Sequence, residues 1–256
     1  MKTFSFINLK GGVGKTTIST NIAYILAAQG VGKVLFIDND KQGNASDWFG
    51  VDGSHGTITN VMMGDASAME VVQSTKYENI DIIPADMGLL EANAAVLQDS
   101  AVNQAMILKN ALAKIRERYI ACIIDNPPDI NMSVFNALVM SDEVVIVTSP
   151  DTDSLSGVFK MAEQLNMTRR KFNPTLALRG VLLNFYVSDD TTFQMMDQLE
   201  DQALPIFDTK IHYATRNARK RMAKARQERI SIVEEYPQCQ VARDIVHFAE
   251  ELFQVK

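Results

Sequence analysis

The stretch of sequence that decides the fold is residues 8–17, which read NLKGGVGKTT. An alternating apolar segment with Phe4, Phe6 and Ile7 precedes it and predicts a strand. Residues 17–29, which carry isoleucines and a leucine on one face, follow it and predict a helix. A glycine-rich loop between a strand and a helix allows backbone N–H groups to converge on phosphate oxygens. We therefore expect residues 8–17 to form a phosphate-binding loop.

Two lysines and a threonine give this loop its predicted chemistry. Lys15 can reach the β- and γ-phosphates of a nucleotide, and the Thr16 hydroxyl can hold Mg²⁺. The general P-loop pattern has a glycine where Leu9 stands, and Lys10 adds a second lysine before the glycines. Because Lys15 already occupies the phosphates of its own site, we expect Lys10 to reach phosphates bound by a facing subunit. The predicted nucleotide-binding residues of the loop are Lys10, Gly11, Gly12, Val13, Gly14, Lys15, Thr16 and Thr17.

Length and composition indicate a soluble globular chain with a sizeable core. Of its 256 residues, 46% are hydrophobic and 22% are charged, which is ordinary for that class. We find no apolar run of the ~18 residues that a spanning helix needs, and no signal peptide. Cys122 and Cys239 lack the spacing of a zinc or iron–sulfur site, and we expect a cytoplasmic protein. The net charge of −6 requires any contact with a polyanion to be local.

Short apolar segments alternate with helical segments along the chain, without a repeat or a linker. We expect strands at residues 3–8, 33–38, 80–84, 119–124, 143–148, 177–184 and 205–211. We expect helices at residues 15–29, 87–99, 101–117, 131–140, 154–172, 190–202, 215–229 and 240–254. This alternation predicts a single doubly wound α/β domain over residues 1–256, with a mainly parallel sheet and helices on both faces. We expect no DNA-binding domain ahead of the phosphate loop.

Acidic residues stand where two of the predicted strands end. Asp38 closes one strand, and Asp125 directly follows another. Ligands of such sheets bind at the carboxyl ends of the strands, and Mg²⁺ is commonly held there by one or two carboxylates and phosphate oxygens. The predicted metal ligands are therefore Thr16, Asp38 and Asp125. Asp40 lies further out, where it can orient an attacking water, although a loop aspartate can also simply close a turn. The predicted catalytic residues are Lys10, Lys15 and Asp40.

The string KGGVGKTT resembles the deviant Walker A motif of the ParA/MinD family of dimerising P-loop ATPases. Residues 34–44 resemble the second motif of that family, with Lys41 in place of the usual proline. Residues 123–128 resemble its D-T-P-P motif, with Asn126 in place of the threonine that responds to hydrolysis. Because asparagine can still offer a polar group, the Asn126 departure implies an altered switch in an active enzyme. The matches continue at residues 135–138, 142–144 and 182–184.

The resemblance also implies ligands and an assembly. ATP and Mg²⁺ are the expected cofactors, and Lys10 is expected to cross a nucleotide-sandwich homodimer. Asn184, at the end of a predicted strand, corresponds to the residue that reads adenine in the family. On the residues alone, an ordinary asparagine in a turn is an equally good interpretation of Asn184.

Residues 216–229 form a predicted basic helix. Ala218, Met222 and Ala225 recur at helical spacing and form a thin apolar stripe, and Glu228 is the one acidic residue. A helix packed on that stripe would present a cationic surface to duplex DNA, with sequence-independent and salt-dependent affinity. A merely solvated helix face is the alternative. The predicted DNA-binding residues are Arg216, Arg219, Lys220, Arg221, Lys224, Arg226 and Arg229.

Together these features predict a short partition ATPase of the ParA type. It would form an ATP-sandwich dimer, bind double-stranded DNA non-specifically on the nucleoid, and hydrolyse ATP when a ParB-like centromere-binding protein or cargo adaptor stimulates it. One alternative is a MinD-like membrane-associated positioning ATPase. The helix predicted at the end of the chain carries Asp244, Glu250 and Glu251, which anionic lipid would repel, so we expect no membrane contact. The other alternative, a metabolic P-loop ATPase without DNA binding, leaves Lys10 and the basic helix unexplained.

Overall fold

The computed structural model describes residues 1–99 and 103–254 of the chain. Within those ranges its strands are β1 (Lys2–Ile7), β2 (Val34–Asp38), β3 (Gln73–Ser74), β4 (Ile80–Ile83), β5 (Ala121–Asp125), β6 (Glu143–Thr148), β7 (Ala177–Tyr186) and β8 (Ile211–His212). They form a sheet in the order β3-β4-β2-β5-β1-β6-β7-β8. β3 runs antiparallel to β4, and the other neighbouring strands are parallel. The sheet is therefore mainly parallel, as expected.

Helices cover both faces of this sheet. The α-helices of the described ranges are α1 (Lys15–Ala28), α2 (Asn44–Phe49), α3 (Ile58–Met63), α4 (Ala68–Val71), α5 (Leu89–Gln98), α6 (Ile107–Ala113), α7 (Met132–Met140), α8 (Thr152–Lys171), α9 (Asp190–Asp201), α10 (Arg216–Gln227), α11 (Ile232–Glu235) and α12 (Gln240–Phe253). Phe36 of β2 packs in the core that contains α1 and α12, whereas its neighbours Leu35 and Ile37 pack on the other face with α3, α5 and α6. Alternate residues of a strand point to opposite faces, so β2 is buried from both sides. The predicted doubly wound α/β fold is confirmed.

The strand register brings the predicted carboxylates to one edge of the sheet. Asp38 is the last residue of β2 and Asp125 the last residue of β5, and the two are paired in the register of these strands. Phe6 of β1 lies opposite Asp125 on its other side. Residues 8–14, which join β1 to α1, therefore begin beside Asp125 at the carboxyl edge of the sheet.

The helix predicted at residues 101–117 is shorter in the structure, where α6 spans Ile107–Ala113. Residues 101–102 lie outside the described residues. Asn136 of α7 explains the late start of α6, because its side chain accepts a hydrogen bond from Leu108 N (3.2 Å) and donates one to Gln104 O (2.6 Å). A side chain of another helix thus satisfies two backbone groups of this segment, Gln104 O and Leu108 N, which periodicity in the sequence cannot reveal.

The strand predicted at residues 205–211 was also wrong over most of its length. Ile206 makes a single bridge to Val181, and regular pairing resumes only in β8. Between them, the carboxylate of Glu251 accepts hydrogen bonds from the backbone N–H groups of Asp208 and Thr209, at 2.7 and 2.8 Å. A side chain of α12 thus replaces a neighbouring strand as the partner of this segment.

The helix α12 packs on the body of the protein, as the sequence indicates. Its apolar residues Val241, Ile245, Phe248 and Leu252 are buried in the core that also contains α1. Phe253 adds an edge-on contact with the ring of Phe4, at 5.2 Å between centroids. None of the helices that the structure describes is long and apolar enough to cross a membrane.

Candidate functional site

The phosphate loop contains two glycines in a left-handed backbone conformation. Gly12 and Gly14 have positive φ angles of 76° and 93°, and Gly14 is the residue that precedes α1. Residues with a Cβ rarely adopt this left-handed conformation. The loop conformation therefore depends on glycine at both positions.

Gly14 also has a close neighbour, Asn184, which lies two residues before the end of β7. The Asn184 side chain donates a hydrogen bond to Val13 O (2.8 Å), and its oxygen accepts one from Phe185 N (3.0 Å). A Cβ at Gly14 would lie 2.2 Å from Asn184 Nδ2. Asn184 thus supports the phosphate loop by holding its backbone at Val13. Its predicted contact with adenine stays a prediction.

Lys15, the first residue of α1, is buried at the centre of the loop. Its ammonium group donates to the backbone oxygen of Lys10 at 3.2 Å. Burial lowers the pKa of Lys15, and the carboxylates of Asp125, Asp40 and Asp129 oppose that shift. The buried ammonium of Lys15, within a glycine-rich loop that precedes a helix, is well placed to receive an anionic ligand.

Thr16 and Asp125 form the most direct link between the loop and the sheet. Thr16 Oγ1 donates to Asp125 Oδ2 at 2.6 Å. Asp125 is buried, and its other oxygen, Oδ1, has no hydrogen-bond partner among the described residues. Burial and the nearby charge of Asp38 raise the pKa of Asp125 well above its usual range, against the hydrogen bond from Thr16 and the charge of Lys15. A buried carboxylate oxygen without a partner is costly, and it marks a place for a cation.

Asp38 has a different environment from Asp125. Its Oδ2 accepts hydrogen bonds from Ser46 N and Ser46 Oγ, both at 2.8 Å, and its Oδ1 accepts one from Asp40 N at 3.1 Å. Burial raises the pKa of Asp38 to about 6, although these hydrogen bonds favour the charged form. Asp38 thereby fixes the loop that carries Asp40 and the start of α2. Its predicted contact with metal stays a prediction.

Asp40 lies in the loop between β2 and α2, at the mouth of the site. One of its carboxylate oxygens accepts a hydrogen bond from Gln42 N at 3.0 Å. The other makes no hydrogen bond to a residue that the structure describes. Asp40 is close enough to Lys15 for its charge to raise the pKa of that lysine.

Two asparagines that the predicted site did not include or explain connect the loops after β2 and β5. Asn39 Nδ2 donates to Asn126 Oδ1 (2.8 Å), and Asn126 Nδ2 donates to Phe6 O (3.1 Å). Asn39 Oδ1 is buried without a hydrogen-bond partner among the described residues. Asn126 takes the place of a threonine in the motif, and its longer side chain is what reaches Asn39. The sequence shows that asparagine replaces threonine at position 126, but it does not show that Asn126 contacts Asn39.

The second lysine of the loop, Lys10, is paired with a residue that the sequence did not single out. Its ammonium group forms an ion pair with Asp151, the residue that precedes α8. Asp151 also accepts hydrogen bonds from Ser149 Oγ and from the backbone and hydroxyl of Ser154. Partial burial raises the pKa of Asp151, but the hydrogen bonds from Lys10, Ser149 and Ser154 outweigh it and hold the pKa below its usual range. Lys10 and Asp151 are both more than a third exposed, so the pair is accessible.

The basic helix α10 lies on its apolar stripe. Ala218 and Ala225 are buried and Met222 is half-buried, while the basic side chains are exposed. Arg219 lies 5.4 Å from the ring centroid of Tyr213. Arg219 also donates a hydrogen bond to Tyr213 Oη at 3.4 Å. The basic side chains of α10 that have neither a hydrogen-bond nor an ion-pair partner in the described part of the chain are Arg216, Lys220, Arg221 and Arg226.

Three of the predicted DNA-binding side chains have neighbours of their own. Arg221 lies 5.6 Å from the ring centroid of Tyr236, and Lys224 lies 3.7 Å from Glu228. Arg229, just beyond the end of the helix, is paired with Asp47 of α2. Contact with DNA stays a prediction for all seven basic residues. Arg229 differs from the other six because it lies beyond the end of α10 and pairs with α2.

Comparisons with known proteins agree with this geometry. Residues 1–178 match a family model described as an AAA domain. The chain is 34% identical to the sporulation initiation inhibitor protein Soj of Bacillus subtilis (strain 168) over 184 residues, which are 71% of this chain and 72% of Soj. It is 30% identical to the chromosome partitioning protein ParA of Caulobacter vibrioides (strain NA1000 / CB15N) over 218 residues, 80% of each chain. A solved structure of cobyrinic acid a,c-diamide synthase from Mycobacterium smegmatis, with a bound ATP analogue and magnesium, matches with a TM-score of 0.83 at 24% identity. That match covers 99% of this chain and 95% of the synthase, and it reflects the shared fold.

Proposed function

Because the chain belongs to the ParA/MinD family of P-loop ATPases, we propose that it is a partition ATPase of the ParA type. In this proposal residues 1–256 act as one domain in the cytoplasm. The ATP-bound form dimerises and binds DNA non-specifically on the nucleoid. A ParB-like centromere-binding protein or another cargo adaptor then stimulates hydrolysis of ATP, and the dimer is released from DNA.

The nucleotide part of the proposal rests on the loop around Lys15. The buried ammonium of Lys15 would meet the β- and γ-phosphates, together with the backbone N–H groups of residues 11–16. ATP is the substrate: attack of water on the γ-phosphorus breaks its bond to the bridging oxygen and yields ADP and phosphate. The free oxygen of Asp40 is available to accept a hydrogen bond from that water and to orient it.

The residues present also fit Mg²⁺. Asp125 Oδ1 is buried and unpartnered, and Thr16 Oγ1 is 2.6 Å from the other oxygen of the same carboxylate. Thr16 and Asp125 would hold the ion, while Asp38, whose oxygens already accept hydrogen bonds, would act mainly by its charge. In the described ranges, no three His, Cys, Asp or Glu side chains cluster as metal ligands. Mg²⁺ suits this arrangement, because it usually takes one or two protein ligands and completes its shell with phosphate oxygens and waters. When bound, the ion neutralises charge on the phosphates.

Dimerisation is assigned to the face that carries the phosphate loop. Lys15 serves the phosphates of its own site, so the neighbouring Lys10 would serve those of the facing subunit. To do so, its ammonium has to leave Asp151, with which it is paired in this structure. The pair is exposed, and exposed ion pairs contribute at most about 1 kcal/mol, so a facing phosphate can displace Asp151.

The DNA-binding part of the proposal rests on one observation: the charged side chains of α10 are all basic, and they are exposed. The chain has a net charge of −6, yet α10 presents unpaired Arg216, Lys220 and Arg226 on one element. A local cationic surface on an acidic protein is suited to phosphates of duplex DNA. The metabolic alternative shares the fold but gives α10 no role. The membrane alternative loses its support at α12, whose apolar face is buried against α1.

The test is DNA affinity measured against salt concentration, with Mg·ATP and with Mg·ADP. The variant Arg219→Ala, Lys220→Ala, Lys224→Ala should bind any duplex more weakly, and its log–log salt slope should flatten by about one unit per lost contact. The matched control removes three exposed charges from the end of α8, as Arg169→Ala, Arg170→Ala, Lys171→Ala. Equal losses in both variants would assign the effect to net charge. Absence of DNA binding by the ATP-bound parent would overturn the partition proposal.

A further inference from the structure

Arg229 lies just beyond the end of the basic helix, where the chain contacts α2. Its guanidinium group donates to the carboxylate of Asp47 on α2. α2 begins directly after Gly43, and its residue Ser46 is held by both a backbone and a hydroxyl hydrogen bond to Asp38. A displacement of the loop that carries Asp38 and Asp40 therefore moves Asp47, and with it the partner of Arg229.

The backbone of Arg229 adds an independent observation. Its φ angle is +59°, in the left-handed region, and the next residue, Ile230, closes the end of α10 by donating to Ala225 O at 2.8 Å. Helices commonly end with a residue in this conformation, and that residue is usually glycine because a Cβ is strained there. The backbone at Arg229 is therefore strained, and glycine at this position would relieve the strain.

The residue after this turn is tied to the phosphate-loop helix. Ser231 Oγ donates to Asn21 Oδ1 (2.7 Å), and Ile232 N donates to the same oxygen (3.1 Å). Asn21 in turn donates to Thr17 O (2.7 Å) in the first turn of α1. The end of α10 therefore contacts two elements that begin at the nucleotide site: α2 through Arg229, and α1 through Ser231.

We propose that Arg229 is a positioning residue, which couples the loop between β2 and α2 to the basic helix through its ion pair with Asp47. When nucleotide moves that loop, the pair carries the displacement to the end of α10 and changes how its exposed lysines and arginines are presented. This inference rests on the proposed function, because it concerns how ATP controls DNA affinity. In this proposal Arg229 acts through α10, and direct contact of Arg229 with DNA is the alternative that the experiment distinguishes.

The structure bounds the size of the effect. The side chains of Arg229 and Asp47 are 48% and 71% exposed, and one exposed ion pair changes an equilibrium by about fivefold at most. We therefore expect the ratio of DNA affinity with ATP to DNA affinity with ADP to fall by about two- to fivefold when the pair is broken. The ATP-bound form should still bind DNA more tightly than the ADP-bound form.

The experiment compares Arg229→Gly and Asp47→Asn with the parent. The glycine variant relieves the backbone strain and should fold well, and the asparagine variant keeps Arg229 and its charge. Hydrogen–deuterium exchange of residues 225–235 is measured with and without Mg·ATP. In the parent, ATP should change the exchange of this segment, and both variants should lose most of that change. The control Arg226→Ala removes a charge from the same helix but leaves the pair intact, and it should keep the change.

DNA affinity supplies the second readout. Positioning predicts that both variants lower the ATP-to-ADP affinity ratio, and that the reversed pair Asp47→Arg, Arg229→Asp restores it. A direct DNA contact predicts instead that Arg229→Gly weakens binding equally in both states, while Asp47→Asn strengthens it. Exchange that ATP leaves unchanged in the parent, or changes alike in the parent and both variants, would overturn the coupling. If the parent does not bind DNA at all, the proposed function fails, and the exchange measurement still decides the coupling.

Discussion

Gly14→Ala should be the more damaging of two matched substitutions in the phosphate loop. Gly12 and Gly14 both have positive φ angles, so alanine at either position costs about 1–2 kcal/mol in backbone strain. A Cβ at Gly12 has no atom within 4 Å, whereas a Cβ at Gly14 would lie 2.2 Å from Asn184 Nδ2. Asn184 therefore has to move and give up its buried hydrogen bond to Val13 O, which adds about 1–3 kcal/mol. The expected totals are about 1–2 kcal/mol for Gly12→Ala and about 2–5 kcal/mol for Gly14→Ala.

Urea unfolding without nucleotide measures both values, provided that the slope with denaturant is unchanged. A double-mutant cycle isolates the contact. In an Asn184→Ala background, the cost of Gly14→Ala should fall to the strain alone, about 1–2 kcal/mol. Equal costs for the two glycine variants, or additivity of Gly14→Ala with Asn184→Ala, would refute the argument that Asn184 supports the loop.

Four further substitutions test the chemistry of the site. Lys15→Ala should abolish ATP binding in a fluorescent-nucleotide titration, because it removes the buried cation of the loop. Lys10→Ala should keep ATP binding but lose ATP-dependent dimerisation in sedimentation, and a variant that dimerises like the parent would exclude the role in the facing site. Asp151→Asn frees Lys10 while keeping an oxygen that can cap α8, so ATP-dependent dimerisation should tighten by up to about fivefold; an unchanged dimer constant would mean that the pair does not compete with the facing site. Asp40→Ala should bind Mg·ATP normally and hydrolyse it about 100-fold more slowly, and turnover at the parental rate would remove Asp40 from the mechanism.

The sheet and the phosphate loop were predictable because their signals are local. Strands buried on both faces are continuous apolar runs, and the glycine-rich motif is contiguous in sequence. Asp125 was predictable although it lies 109 residues from its partner Thr16, because the carboxyl ends of parallel strands meet at one edge. The short helices α2, α3, α4 and α11 were missed, since four to six residues are too few to display helical periodicity.

Contacts between loops and helix ends were beyond the sequence for a different reason. Lys10 and Asp151 are 141 residues apart, and Arg229 and Asp47 are 182 residues apart. No strand order or periodicity brings either pair together, so each partner is one charged residue among many. The basic stretch was recognised as a surface, but the sequence did not show that Arg229, beyond the end of α10, pairs with Asp47 of α2.

The contact between the first strand and the last helix has a consequence for synthesis of the chain. Phe4 and Phe253 pack together, and α12 covers the apolar side of α1, the helix that starts at the phosphate loop. On the ribosome, α1 emerges long before α12, the helix that covers it. Contacts between residues that are far apart in sequence form late and slow folding. Until they form, the uncovered apolar surface favours aggregation. A nascent chain that contains α1 but not yet α12 therefore exposes the apolar side of the helix that starts at the phosphate loop.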